Sequence, residues 1–129
     1  MTELAAEART VVVLADDLIW ATRLSDALSA AGARPRRARR LEDLVSLLTP
    51  TDEADQGGGM AIIDLTARAY DGVEAIRGAA ATGARVVAVG QHDDVALRKA
   101  ALAAGAERVF TYRALFEDGP RTLATWLAR

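Results

Sequence analysis

Apolar runs alternate with amphipathic segments along most of the chain, and this alternation predicts its secondary structure. Continuous apolar runs are typical of buried strands and predict four of them, at residues 10–15, 60–65, 85–89 and 108–111. Residues 34–39 are a fifth, more polar candidate strand. Apolar positions at spacings of three and four predict five helices, at residues 18–31, 41–48, 72–80, from 93 or 94 to 104, and 118–127.

Strict alternation of strand and helix is typical of an α/β fold with a mainly parallel sheet and right-handed crossovers. Pro35 indicates that the second strand lies at an edge, because proline cannot donate to a strand ladder. The five arginines within residues 34–40 also suit an edge, where charge blocks unwanted pairing. A strand order of 2-1-3-4-5 meets this condition, whereas 3-2-1-4-5 would bury the strand. We therefore predict a flavodoxin-like, five-stranded parallel sheet in the order 2-1-3-4-5, with helices on both faces.

The composition fits a single domain spanning residues 1–129, because 129 residues are enough to bury a hydrophobic core. We expect residues 1–9 to be a flexible N-terminus and residues 49–59 to be a flexible loop. The absence of cysteine excludes disulfides and thiolate catalysis. No segment resembles a signal peptide or approaches the roughly 20 apolar residues that span a bilayer. We therefore expect a cytoplasmic protein without membrane contact.

Acidic residues follow the first and third predicted strands. Asp16 and Asp17 come directly after the first, and Asp64 lies at the end of the third. Chemistry in such folds lies at the carboxyl ends of the strands, and the predicted order makes strands 1 and 3 neighbours. Carboxylates that meet there can share a hard cation, so Mg²⁺ is the one cofactor this pattern suggests. The alternatives are helix capping by Asp16 and Asp17, and a loop-facing Asp64 without a ligand.

These motifs resemble the receiver domains of two-component response regulators, over nearly all of residues 10–128. Asp16-Asp17 resembles the acidic pair that follows strand 1 in the family, and Asp64 matches the phospho-accepting aspartate after strand 3. Asp71–Glu74 and Ala104–Ala106 resemble two further family motifs, Asp-Gly-x-Glu and Ala-Gly-Ala. The resemblance implies the receiver fold, a metal site at the three aspartates and signalling through protein partners.

Two positions depart from the pattern of an active receiver. Gly90 stands where the family has a threonine or serine that helps to hold the phosphoryl oxygen, and Tyr112 stands where it has a lysine. Phosphoryl transfer depends on positioned donors and on charge stabilisation, so both losses act against phosphorylation. His92 and Arg113 are nearby candidates that could replace the missing groups. The departures favour a degenerate receiver, or pseudo-receiver.

The sequence thus predicts a stand-alone receiver-like signalling module, not an enzyme, that acts through a protein partner and forms a homodimer. The apolar residues predicted near helices 4 and 5 suit pairing: Val95, Leu97, Leu115 and Phe116. A net charge of −2 and the lack of interleaved aromatics argue against nucleic acid as a partner. Two alternatives stay open. One is a working Mg²⁺-dependent phosphoacceptor with Asp64 as the phosphorylated residue, and the other is a small-molecule binder on the same doubly wound scaffold.

Overall fold

A single parallel sheet forms the centre of the molecule, and a computed structural model describes residues 9–50 and 59–129. Its strands are β1 (Thr10–Leu14), β2 (Arg34–Ala38), β3 (Met60–Asp64), β4 (Arg85–Gly90) and β5 (Arg108–Thr111). They lie in the order β2-β1-β3-β4-β5, with every neighbouring pair parallel. The edge position that Pro35 predicts for β2 is confirmed, and Pro35 lies opposite Val11 of β1. The expected flexibility of residues 1–9 and 49–59 concerns segments that fall mainly outside the described residues.

Five helices follow the strands in turn: α1 (Leu18–Ala30), α2 (Leu41–Leu48), α3 (Gly72–Ala81), α4 (Val95–Ala104) and α5 (Tyr112–Leu127). Aspartate side chains cap three of them, because their carboxylates accept from backbone N–H groups that have no partner within the first turn. The caps are Asp17 for α1, Asp71 for α3 and Asp94 for α4. Gly105 ends α4 with φ of 125°, a left-handed conformation that favours glycine.

The helices cover both faces of the sheet. Val11 and Val13 point into a core shared with α1 and α5, whereas Val12 and Leu14 point into a core shared with α2, α3 and α4. Successive residues of a strand alternate between faces, so a strand buried on both faces is apolar throughout. This explains the continuous apolar runs in the sequence. Within the described ranges, none of the helices combines the length and the apolar character needed to cross a membrane.

The last helix begins earlier than the sequence predicts. We expected it to start at Asp118 or Pro120, but α5 starts at Tyr112, directly after β5, and the side chain of Thr111 caps it by accepting from Ala114 N–H. Non-helical backbone angles at Asp118 divide α5 into two segments. Pro120 explains the kink, because proline lacks an N–H and its ring clashes with the preceding helical turn. The sequence prediction therefore identified only the second segment.

The carboxyl-terminal end of α5 is held against the sheet by its own side chains and by two arginines. Trp126 is 1% exposed, and the Arg85 guanidinium lies 5.5 Å from the centre of its ring. Arg85 also donates to the backbone oxygen of Trp126 and to both carboxylate oxygens of Glu107, and Arg9 donates to the backbone oxygen of Leu127. Cations at the carbonyl end of a helix offset its negative partial charge.

Candidate functional site: a buried aspartate held by two hydroxyls

Asp64 is the last residue of β3, and its side chain is buried, at 2% exposure. Its Oδ1 accepts hydrogen bonds from three donors: Thr66 N–H at 3.1 Å, the Thr66 hydroxyl at 3.1 Å and the Tyr112 hydroxyl. The Thr66 and Tyr112 hydroxyls also contact each other. All three donors are neutral. Among the described residues, no arginine, lysine or histidine side chain donates to Asp64, so a buried carboxylate is satisfied here without a cation.

Tyr112 reaches Asp64 because it is the first residue of α5, at the carboxyl end of β5. Its ring packs against Trp20 of α1, with the ring centres 4.6 Å apart. Burial and the hydrogen bond to Asp64 raise the pKa of Tyr112 above its ordinary value of 10.0. Tyr112 is thus a neutral donor near neutral pH, in the position where the receiver pattern has a lysine ammonium. We expected Tyr112 at the end of strand 5, and the structure places it in α5 instead.

Tyr70 is next to this cluster and connects β1 with β3. Its hydroxyl lies 2.9 Å from the backbone oxygen of Leu14 and 2.7 Å from that of Asp64, at the carboxyl ends of β1 and β3. Burial raises the pKa of Tyr70 well above its ordinary value, and the negative charges of Asp64 and Asp16 raise it further. Tyr70 therefore stays protonated and fixes the spacing of the two strands at the site.

Asp16 and Asp17 follow β1 as predicted, but they have different partners. Asp16 Oδ2 accepts from the backbone N–H groups of Arg68 and Ala69, at 2.8 and 2.9 Å, and so holds the loop between β3 and α3. Asp17 Oδ1 accepts from Ile19 and Trp20 N–H and caps α1. The capping alternative for Asp17 is confirmed. Asp16 thus bonds to the loop after β3, whereas Asp17 bonds to the first turn of α1.

The three carboxylates do not form one shared ligand group. One oxygen of each of Asp16, Asp17 and Asp64 accepts hydrogen bonds from protein donors. Within residues 9–50 and 59–129, no group of three or more acidic, histidine or cysteine side chains is placed to hold a metal ion. The predicted convergence of all three aspartates on one cation is therefore not seen, and we derive no step through a metal.

Gly90 is the last residue of β4, and the space beside it is filled by Leu65. A Cβ atom added at Gly90 would lie 3.2 Å from Leu65 Cδ1, closer than ordinary van der Waals contact. Leu65 itself is 6% exposed. The side chain that would supply a hydroxyl in the receiver pattern is missing at Gly90, and a methyl group of Leu65 lies close to where its Cβ would be.

The two candidates for replacing the missing groups do not reach the site. Arg113 is exposed on α5, and its guanidinium pairs with Glu117 at 3.0 Å. Among the described residues, His92 is exposed in the loop after β4 and forms no hydrogen bond with Asp16, Asp17 or Asp64. Lys99 is the only lysine of the chain, and it is exposed on α4. None of these cations therefore stands in for the lysine of the receiver pattern.

Three residues of the site were not predicted from the sequence: Leu65, Thr66 and Tyr70. Each lies in or next to the loop after β3, and each acts through a contact that only folding creates. Thr66 carries a weak local signal, because a threonine two residues after an aspartate can bond back to it. Leu65 and Tyr70 carry none, since their partners are distant strands or a glycine in β4.

The tyrosine environments predict a loss of stability at alkaline pH. Tyr70 and Tyr112 are the only tyrosines, and the folded state raises the pKa of each above 10.0, so the folded protein keeps both protons after the unfolded chain has lost them. Their contribution is complete below about pH 10 and is lost as the pH rises further. Tyrosinate absorbance should appear only as the protein unfolds, whereas the chain in guanidinium should titrate near pH 10. Ionisation of both tyrosines near pH 10 in the native protein would contradict these environments.

The strand order, the five helices and the aspartate at the end of β3 together define the fold of response regulator receiver domains. Three solved structures are similar. FixJ-N has a TM-score of 0.73 and 21% identity, covering 93% of this chain and 92% of that chain. A putative response regulator from Chloroflexus aurantiacus J-10-fl has a TM-score of 0.74 and 20% identity, covering 95% and 100%. The beryllofluoride-activated NtrC4 receiver domain dimer has a TM-score of 0.62 and 20% identity, covering 80% and 83%.

This likeness confirms the predicted receiver fold. No family model matches the sequence, and no curated protein matches it.

Proposed function

We propose that this chain is a receiver-like signalling module that is not efficiently phosphorylated and that acts through contacts with a protein partner. The observation that carries this proposal is the hydrogen bond from the neutral Tyr112 hydroxyl to Asp64, at the position of the receiver lysine. Among the described residues, only neutral groups donate to this carboxylate. The site thus keeps the aspartate of the receiver pattern without the charge that phosphoryl transfer needs.

This site is deficient in groups that stabilise the negative charge of a phosphoryl group. A phosphoryl group brings several negative oxygens next to Asp64, and catalysis of its transfer depends on positioned cations and donors. Tyr112 keeps its proton because its pKa is raised, but a neutral phenol cannot offset that charge as an ammonium does. Gly90 adds no hydroxyl, and Leu65 fills the adjoining space. These contacts support a closed site and do not favour a working phosphoacceptor.

The second alternative, a small-molecule binder, has little support at this edge of the sheet. Leu65 packs beside Gly90, the Tyr112 ring packs on Trp20, and the Asp64 side chain is buried. Large apolar pockets with a few polar groups are typical of small-molecule sites. The packing of these side chains does not favour a small-molecule site beside Asp64.

The proposal is tested by challenging the protein with a small phosphodonor. Wild-type protein with millimolar Mg²⁺ and acetyl phosphate should show no stoichiometric increase in intact mass, and beryllofluoride should not change Trp20 fluorescence. Trp20 is a suitable reporter because its ring packs on Tyr112. Trp126 is buried at the other end of the molecule, so a Trp126→Phe background isolates the signal. A stoichiometric adduct that is lost in Asp64→Asn would contradict the proposal.

Homodimer formation belongs to the same proposal, and the structure changes the residues available for it. Val95 and Phe116 are exposed, at 56% and 63%, and Leu97 is half-buried. Leu115 was expected on the same surface, but it is 7% exposed and packs in the core with α1. The prediction for Leu115 was therefore wrong, because residue 115 falls on the inward side of the unexpected first segment of α5. The cytoplasmic location stays a prediction from the sequence.

A further inference from the structure

The edge of the sheet carries a concentration of positive charge that the site at Asp64 does not use. Five of the seven residues from 34 to 40 are arginine, and all five are exposed: Arg34, Arg36, Arg37, Arg39 and Arg40. We call these residues the arginine edge. Within the described part of the chain, none of them forms an ion pair with a carboxylate.

This concentration contrasts with the rest of the molecule. The other 122 residues contain 11 basic and 18 acidic side chains, a formal charge of −7, although the whole chain has only −2. Charged side chains and proline also protect an edge strand from unwanted pairing. The guanidinium group of arginine forms paired hydrogen bonds with carboxylates.

A groove adjoins the arginine edge where β2 ends. Its volume is about 400 Å³, and it lies between the end of β2 and α2, lined by Arg37, Ala38, Arg39, Asp43, Ser46 and Leu47. The lining thus combines two arginines, one acidic residue, one serine and two apolar residues. Such a lining suits a polypeptide segment in which acidic side chains flank an apolar one.

The groove favours a polypeptide over a nucleic acid. The arginine edge has no aromatic side chain on which a base could stack. Backbone pairing contributes little, because Pro35 offers no N–H to an added strand. Recognition here therefore depends on side chains.

We propose that the arginine edge and its groove bind an acidic polypeptide segment, with carboxylates on the arginines and an apolar residue against Leu47. This inference rests on the proposed function, because a module without chemistry of its own needs a surface for its partner. Charge complementarity identifies the occupant as acidic, and the apolar residues of the groove identify it as a protein segment.

The test measures binding of a labelled peptide in which glutamates flank a single leucine, by fluorescence anisotropy. The peptide should bind, and raising NaCl from about 50 to about 300 mM should weaken it strongly. The double variant Arg37→Ser/Arg39→Ser should lose at least about tenfold in affinity, because each guanidinium offers charge-assisted hydrogen bonds. The matched control Arg98→Ser/Arg121→Ser removes the same charge from exposed positions on α4 and α5 and should bind like the wild type.

Three outcomes would overturn the inference: no binding of the acidic peptide, equal losses in both double variants, or tighter binding of a single-stranded oligonucleotide of matched charge. Circular dichroism of each variant shows that the fold is kept. The phosphodonor experiment is independent of the peptide-binding experiment, because it measures the mass that phosphorylation of Asp64 adds to the protein. Peptide binding together with a phospho-adduct would support binding at the arginine edge and reject the proposed function. No peptide binding together with no phospho-adduct would reject binding at the arginine edge and support the proposed function.

Discussion

Replacing Tyr112 by lysine is expected to raise the yield of phospho-adduct at Asp64 by at least about tenfold over the wild type, because one positioned donor to a developing charge is worth about 10²–10³ in rate. The lysine ammonium would lie where the Tyr112 hydroxyl now donates to Asp64. Intact mass after incubation with Mg²⁺ and acetyl phosphate measures the yield. The gain should remain partial, because Gly90 still supplies no hydroxyl.

Two controls separate the effect of the added lysine charge from the effect of losing the Tyr112 hydroxyl. Tyr112→Phe removes the hydroxyl and adds no cation, so its adduct yield should stay at the wild-type level. Tyr112→Lys/Asp64→Asn should also give no adduct, because the amide is not a nucleophile. An equal gain in Tyr112→Phe would mean that the hydroxyl blocks the site and that the missing charge does not matter. No gain in Tyr112→Lys would mean that the geometry around Asp64 is deficient as well.

Trp126→Ala is expected to lower the free energy of unfolding by about 3–5 kcal/mol, the cost of removing a large buried side chain. Trp126 is 1% exposed, and Pro120 and Asp118 separate its segment of α5 from the first one. The segment therefore depends on core contacts, and the loss of the ring also removes the contact with Arg85. Urea denaturation followed by circular dichroism measures the change.

The neighbouring Thr125 provides the control for this experiment. Thr125 is exposed on the same helical turn, so Thr125→Ala should change the stability by no more than about 0.5 kcal/mol. A small effect of Trp126→Ala, similar to that of the control, would show that the second segment of α5 contributes little to the fold.

The strand order could be predicted because Pro35 and its neighbouring arginines identify β2 as an edge. The cap of α1 was also readable, since an aspartate directly before an amphipathic segment can accept from its free N–H groups. The first segment of α5 was not readable. Thr111 acts as its cap, but nothing in the sequence separates that threonine from the last residue of a strand.

The candidate site could likewise be predicted only in part. The positions of Asp16 and Asp64 at the ends of neighbouring strands followed from topology. Their partners did not, because Tyr112 comes from α5, 48 residues away from Asp64, and Asp16 bonds to a loop 52 and 53 residues away. Hydrogen bonds over such separations depend on the packing of whole elements, and no local pattern reports them.

The amino-acid sequence by itself determined the parallel sheet, its order and the absence of the usual lysine and hydroxyl, since these depend on residue type and on local spacing. Only the tertiary structure decided what replaces them. Folding brings a tyrosine hydroxyl onto Asp64 and a leucine beside Gly90, because a buried carboxylate needs donors and a close-packed interior leaves no space beside a glycine.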